Sequence, residues 1–337
     1  MAKSKATKNS EKTVLITGAN GFVGRYTVER FLREGFHVKC MVRNKQAEEV
    51  LKSLDGNISF CYGDITQPDT LDKAFEGTWG VVNLAGYREF WSKNPDTFYN
   101  INETGAKNVF LACLKANAKK VIQVSTPLAF GVPETIPFNE ESVPGSHPSH
   151  YARSKYLGDS IGWSMHEKQG LPLSIVYLAA VIGAGDDKST MEVKRAVDKK
   201  VPVLIGADTT YTYLYVKDAA EAIVQAFMKE DSVGERYLIG GERATTREYF
   251  KKIGTIAGVP TPDRNIDEKY LFPIAKSMEF YSRFSNKRPL LPLDVLKTTA
   301  AGSLIFDGSK AEKELGLVYT PLDTALTDAV NELKKSA

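Results

Sequence analysis

The stretch Val14 to Gly24, VLITGANGFVG, constrains this chain more than any other. An apolar β-type run, Val14-Leu15-Ile16, passes without interruption into a turn carrying Gly18, Gly21 and Gly24. Gly18 permits a tight bend, Gly21 lets the backbone approach a pyrophosphate closely, and Gly24 lets the next helix press against the strand. That helix then offers free N–H groups and the positive end of its dipole to an anion. Three glycines alone are a weak pattern, common in loops. Here the strand comes first, and Gly24, Val28, Phe31 and Leu32 repeat at helical spacing until Gly35 closes the element. That is the context a dinucleotide-binding turn requires.

Strand and helix signals alternate from there: Phe36 to Val42, Ile58 to Tyr62, a helix near Thr70 to Phe75, Gly80 to Leu84, a helix near Thr97 to Ala116, and Lys120 to Val124. After a proline-rich loop come a helix from His150 to Gln169 and a strand from Leu173 to Leu178. The alternation predicts an α/β fold, a Rossmann-type doubly wound parallel sheet with a smaller C-terminal α/β substrate lobe. In this division residues 1–12 are a disordered basic tail and 13–180 the cofactor-binding domain, to which 209–236 returns. Residues 181–208 and 237–337 form the substrate lobe, with helices near Lys194, Ala219 to Lys229 and Thr246 to Ala257 and a long proline-punctuated connection.

A net charge of +3 is too mild to imply nucleic acid, and part of it sits in the tail. No apolar run reaches the length of a membrane span, and the N-terminus lacks the apolar stretch of a signal peptide. The expectation is a soluble, cytoplasmic protein with neither membrane nor nucleic-acid partner. Cys40, Cys61 and Cys113 lie in or beside apolar runs without ligand spacing and read as core residues, and no metal site is expected.

An acid that holds the ribose of NAD is expected about twenty residues past the glycines. Arg43 stands there instead, nineteen residues after Gly24, followed by Lys45. A cation at this point pairs with a 2′-phosphate, where a carboxylate would repel it, so NADP(H) is favoured over NAD(H). Further on, YARSK places the phenol of Tyr151 and the ammonium of Lys155 four apart on one helix face. A free tyrosine has a pKa of about 10, and a neighbouring cation lowers it by favouring the phenolate. Ser125-Thr126 lie at the C-terminal end of the fifth strand, where open parallel sheets place their ligands, within reach of the carbonyl oxygen Tyr151 would protonate.

From Thr13 on, these motifs resemble the extended short-chain dehydrogenase/reductase family. TGANGFVG is similar to the family's glycine motif, which implies cofactor contacts from Gly18, Asn20, Gly21, Phe22, Val23 and Gly24. GDIT resembles its adenine-side motif, implying Asp64 and Ile65, and NLAG its fourth-strand motif, implying Leu84, Ala85 and Gly86. STPLAFG resembles the segment SSxxxYG, which puts the active-site hydroxyl on Thr126 and leaves Phe130 where the family has tyrosine. YARSK supplies the family's Tyr151 and Lys155, and Asn102 matches an asparagine that holds a water in the proton path. YVKDAAEAI and FDGSKAEKELG look like the C-terminal hallmarks. Beside the nicotinamide, where the family usually has proline, stands Leu178, with Val181 following. Arg43 and YREFWSKNPDTFYNIN look closest to the dihydroflavonol-reductase-like branch.

The resemblance implies hydride transfer from NADPH to a ketone or aldehyde, with Tyr151 as proton donor, Thr126 polarising the oxygen, and Lys155 tuning Tyr151 and binding the nicotinamide ribose. Substrate walls are expected from Tyr87, Phe90, Trp91, Phe130, Met191 and Tyr211, although aromatics at such loops serve equally well as core. Together they suggest a small apolar or aromatic carbonyl compound or the corresponding alcohol. Two alternatives stay open: a nucleotide-sugar epimerase or dehydratase that recycles tightly bound NAD, and a non-catalytic cofactor-sensing protein. The helices around Ala106 and Leu157 are those through which relatives form homodimers. Asp186-Asp187 read as a solvated acidic pair, and His147 and His150 as loop or pocket-rim residues.

Overall fold

The structure, a computed structural model, describes residues 9–185, 189–285 and 287–335, the side chains of 189–191 excepted. Residues 1–8 of the tail and the pair Asp186-Asp187 lie outside the described residues. The first half runs β1 (Thr13–Thr17), α1 (Phe22–Arg33), β2 (His37–Val42), α2 (Lys45–Glu49), β3 (Ile58–Tyr62), α3 (Leu71–Phe75), β4 (Gly80–Asn83), α4 (Asp96–Tyr99), α5 (Ala106–Lys115), β5 (Lys120–Ser125), α6 (His150–Gln169) and β6 (Leu173–Leu178). The second runs β7 (Ala180–Ile182), α7 (Ser189–Val197), β8 (Leu204–Ile205), β9 (Thr210–Tyr215), α8 (Val216–Met228), β10 (Arg236–Ile239), β11 (Arg243–Thr245), α9 (Thr246–Ala257), β12 (Asn265–Ile266), α10 (Phe272–Ser285), α11 (Leu293–Ala300), α12 (Ser309–Leu315) and α13 (Leu322–Lys335).

Seven strands form one sheet in the order β10-β6-β5-β4-β1-β2-β3, and every pairing is parallel. Helices cover both faces, which is why Val14-Leu15-Ile16, Val81-Val82 and Val121-Ile122 are buried consecutively rather than alternately. The winding direction reverses between β1 and β4, so a crevice opens beyond their C-terminal ends. Register aligns Thr17 with Asn83 and Asn83 with Gln123, a polar row across three strands at the edge of that crevice.

After Leu178 the chain leaves the large sheet, and β7, β9 and β11 form a three-stranded sheet over a second apolar cluster in which Tyr213 and Tyr249 stack at 4.7 Å. The segment 209–236 is divided: β9 belongs to the small sheet, whereas α8 packs on α1 with Phe227 and Phe31 at 5.0 Å. Strand β10 follows at once and closes the large sheet beside β6.

Two local readings of the sequence need correction. The helix expected over Thr97 to Ala116 is broken into α4 and α5 by a π-helical turn, Asn100–Gly105. Close packing from both sides accompanies the wide turn, since a Cβ on Gly105 would stand 2.8 Å from Ile65 Cδ1 and one on Gly158 only 2.2 Å from the Asn102 carbonyl oxygen. The proline-punctuated connection contains α10 and α11, because Pro273 sits in the first turn of one and Pro292 is the N-cap of the other, where a missing N–H costs nothing. Among the described residues no helix is long and apolar enough to cross a membrane. Cys40 and Cys113 are buried, and burial pushes both thiols up.

Candidate active site

Where β1 ends, Gly18 takes φ +65°, and a Cβ there would stand 2.9 Å from the Ala85 nitrogen. The turn therefore lies directly on the chain leaving β4. A Cβ on Gly24 would come within 2.2 Å of the Gly18 carbonyl oxygen, so α1 begins in contact with the turn. Gly21 is its N-cap and supplies no side-chain acceptor, and the first turn carries no acid. The first N–H groups of the helix, which have no partners within it, are left for an anion. Phe22 is buried and Val23 half-buried, so their backbone is what faces such a ligand, and the half-buried Asn20 has no side-chain partner among the described residues. This cradle, which side chains would fill, fits a dinucleotide pyrophosphate.

Arg43 follows β2, exposed and without a partner among the described residues, while the neighbouring Asn44 caps α2 by accepting Ala47 N–H at 2.9 Å. Asp64 Oδ1 accepts the Thr66 N–H at 2.8 Å and its hydroxyl at 2.7 Å. Oδ2 has no partner among the described residues. Ile65 is buried beneath Gly105. Beyond β4, Ala85 N–H donates to Thr17 Oγ1 at 3.1 Å, Leu84 is half-buried, and Gly86 is exposed. Leu178 is buried and Val181 half-buried on β7, so what Leu178 offers a cofactor is its backbone.

Helix α6 brings in the reactive pair. Ser149 caps it by accepting Ala152 N–H at 3.2 Å, and Gly158 and Gly162 let it close on Asn102 and Phe110. The Tyr151 phenol lies close enough to the Thr126 side chain, just past the end of β5, for that hydroxyl to favour the phenolate. Lys155 Nζ donates to the Val124 carbonyl at 2.9 Å, on the same strand. Thr126, Tyr151 and Lys155 thus converge at the C-terminal edge of β5.

The electrostatics correct one expectation. Burial pushes the Tyr151 phenol up to about 12; Asp159 adds to the rise, and Arg88 and the Thr126 hydroxyl only partly oppose it. Lys155 does not bring the phenol down. Its ammonium is turned to a strand carbonyl, and its own pKa is lowered by burial, against a smaller upward pull from Asp159. Burial raises Asp159 to about 6, opposed by Lys155 and by hydrogen bonds from Ser125 and Gln123.

Asn102 is buried in the π-turn. Both of its side-chain N–H bonds are spent, on the Tyr87 carbonyl and the Ser154 hydroxyl at 3.0 Å each, and its oxygen accepts Tyr87 N–H at 2.7 Å. What the side chain does here is clamp the loop carrying Tyr87, Phe90 and Trp91. Phe90 lies edge-on to Tyr151, ring centroids 5.6 Å apart, and Tyr87 donates its hydroxyl to the Trp91 carbonyl at 3.2 Å. Phe90 thus lies beside the phenol, on a loop whose Tyr87 and Trp91 are also half-buried.

Phe130 does not. It is buried in the core between Phe138 and Tyr177, with ring centroids at 5.1 and 5.0 Å, because without a hydroxyl it has nothing to draw it from the apolar interior. Tyr211 is half-buried against the second cluster, and the side chain of Met191 lies outside the described residues. His147 Nε2 donates to the Ala129 carbonyl at 2.9 Å, and His150 pairs with the Tyr99 hydroxyl at 3.0 Å.

Sequence reading missed two features. Buried Asp159 stands one helical turn beyond Lys155; the spacing Tyr151, Lys155, Asp159 on one face was the available signal. Asp294, at the start of α11, accepts the His150 N–H at 2.8 Å and so ties the second lobe to α6 beside Tyr151.

Comparison with known proteins gives the family and the fold. The family model described as NAD dependent epimerase/dehydratase family matches residues 14–240. A putative dihydroflavonol 4-reductase of Synechocystis sp. is 26% identical over 340 residues, covering 94% of this chain and 93% of the relative. Sterol demethylase protein B of Methylococcus capsulatus is 24% identical over 326 residues, covering 94% and 97%. The crystal structure of gox2253 is similar with a TM-score of 0.82 and 28% identity, over 97% of this chain and 99% of that one.

Proposed function

The chain belongs to the NAD dependent epimerase/dehydratase family, and on that premise we propose that it is an NADPH-dependent reductase converting the ketone or aldehyde of a small apolar or aromatic substrate into an alcohol. The observation that carries this reading is the convergence of Thr126, Tyr151 and Lys155 at the C-terminal end of β5, on the same edge of the sheet as the glycine turn after β1. NADPH, when bound, supplies the hydride. Gly18, Gly21 and Gly24 with the start of α1 hold the pyrophosphate, Arg43 the 2′-phosphate, Asp64 the adenine amine, and Lys155 the nicotinamide ribose. Tyr151 gives its proton to the carbonyl oxygen, and Thr126 hydrogen-bonds that oxygen while it gains charge. With its pKa raised to about 12, the phenol is protonated at neutral pH, as a donor must be.

Support for NADPH comes from Arg43, a cation with no partner among the described residues; support for an apolar substrate comes from Phe90, Tyr87 and Trp91 and from the flavonoid and sterol names of the relatives. The test is NADPH oxidation with a panel of aromatic aldehydes, flavanone-type ketones and steroid ketones. Turnover with at least one is expected, and Tyr151→Phe should lower it about 10²- to 10⁴-fold with cofactor binding kept. A variant retaining most of the rate would remove Tyr151 as donor. NAD that stays bound through gel filtration would favour a nucleotide-sugar epimerase or dehydratase instead. Cofactor binding without turnover of any carbonyl or nucleotide sugar would favour a sensor.

A further inference from the structure

Most large apolar side chains left exposed on this protein are scattered, but one stretch of the second lobe concentrates them. Tyr270, Ile274, Phe280, Tyr281, Phe284 and Leu290 are all exposed, from 47% for Ile274 to 85% for Leu290. Four of the six lie on α10. Its buried residues include Ala275 and Ser282, seven apart on the inner face, and Ile274, Phe280, Tyr281 and Phe284 occupy an outer arc of about 120° at helical spacing. Phe280 and Phe284 meet edge to face at 5.3 Å, so these two rings form one apolar surface within the arc, which the exposed Ser277 shares. Surfaces of this kind mark interaction sites.

Charge selects the partner. Lys276 and Arg283, seven apart, run along one rim of the arc, and Lys287 lies just beyond the helix; all three are exposed and none has an ion-pair partner among the described residues. The nearby carboxylates are largely engaged: Asp267 with Lys269 at 2.6 Å, and half-buried Glu279, which accepts the Leu293 N–H at 2.9 Å. A second copy of the chain would bring the same cationic rim against itself. An anionic phospholipid surface complements both parts, phosphates meeting the cations and acyl chains the aromatic arc. Arg288, just beyond α10, pairs with Glu89 at 2.9 Å, and Glu89 adjoins Phe90, which packs on Tyr151, so the segment after the helix touches the loop of the candidate site.

From this arrangement we propose that α10 docks the protein on the surface of anionic membranes, the helix lying in the lipid interface without crossing it. The sequence expectation of no membrane partner rested on spanning segments, and a surface helix needs none. If the reductase reading holds, docking also presents the site to substrates dissolved in the bilayer; the docking itself does not depend on that reading.

The experiment is co-sedimentation of the full chain with vesicles of phosphatidylcholine alone and of phosphatidylcholine mixed with phosphatidylglycerol. Binding should be several-fold stronger to the mixed vesicles and should fall as salt rises, and Phe280→Ser/Phe284→Ser should weaken it by about tenfold or more. Reversing the rim, Lys276→Glu/Arg283→Glu, should abolish the preference for anionic lipid. Circular dichroism confirms that both variants fold. No sedimentation with either vesicle, or equal sedimentation of the Phe280/Phe284 variant, overturns the proposal. So does a concentration-dependent dimer in analytical ultracentrifugation that this variant abolishes, which would assign the patch to a second copy.

Discussion

The carboxylate of Asp159 accepts the hydroxyl of Ser125 inside the sheet–helix interface, one helical turn beyond Lys155. That bond ends a chain of side chains running across the sheet. Thr17 donates to Asn83 at 2.5 Å, Asn83 to Gln123 at 2.7 Å, and Gln123 to Asp159 at 3.4 Å. All are buried, and the strand register that aligns Thr17, Asn83 and Gln123 is what makes the row continuous. A buried carboxylate is costly unless paired, and its partners here are hydrogen bonds and the Lys155 cation. Asp159 is therefore a positioning residue: it fixes the charge balance around Lys155 from beneath.

Replacing it should expose that role. Lys155, Tyr151 and Tyr177 all sense the Asp159 charge, and it raises the lysine's affinity for its proton. As pH falls through about 6, Asp159 takes up a proton and the ammonium loses its counter-charge, so kcat should decline on an acid limb near that pH. Asp159→Asn keeps the shape and removes the charge. It should be slower by about tenfold at neutral pH, with KM little changed, and should lack the acid limb. The pH dependence of kcat checks this, and identical profiles for the two proteins would reduce Asp159 to a packing element.

Direction of reaction gives a second expectation. On the proposed reading, reduction uses the Tyr151 phenol and oxidation of the alcohol uses the phenolate, and burial favours the phenol. Reduction should be insensitive to this group across neutral pH. Alcohol oxidation with NADP⁺ should climb with pH, by about tenfold per unit below the phenol's pKa. Initial rates in both directions from pH 7 upward test it; a reduction rate that drops by the same factor over that range would mean that the phenol titrates far lower.

The parallel core, the glycine turn and the placing of Tyr151 and Lys155 were legible because each depends on local sequence: an apolar run, a turn, a four-residue spacing. Phe130 was misread because a motif position says which backbone segment a residue occupies, not whether its side chain faces the crevice or the core. Asp159 was missed because its importance comes from Ser125 and Gln123, distant in sequence and joined to it only by the fold. Asp294 reaches His150 across 144 residues for the same reason. The helices α10 and α11 were hidden by prolines that begin them.

On the proposed reading, cofactor choice rests on Arg43, whose guanidinium has no competing partner among the described residues. Two charge-assisted hydrogen bonds to a 2′-phosphate contribute roughly 2–4 kcal/mol, so Arg43→Ala should weaken NADPH by about 30-fold or more and leave NADH within about threefold. Fluorescence titration with both cofactors measures this. Equal losses would show that another residue meets the phosphate.

Gly24→Ala tests the cradle itself. The added methyl would stand 2.2 Å from the Gly18 carbonyl oxygen and 2.7 Å from that of Ala19, both main-chain atoms that no rotamer change can move aside. Helix α1 must lift off the turn, at a cost of about 1–3 kcal/mol, and its N–H groups then no longer converge on the pyrophosphate. Gly170→Ala is the control: its φ of +71° strains an alanine by about 1–2 kcal/mol, yet nothing lies within 4 Å of the new methyl, far from the turn. Both variants should melt earlier than the parent, but only Gly24→Ala should lose cofactor affinity, by about tenfold or more. If calorimetric titration finds NADPH bound equally well by the two, the contact between Gly24 and Gly18 supports the fold without shaping a phosphate site.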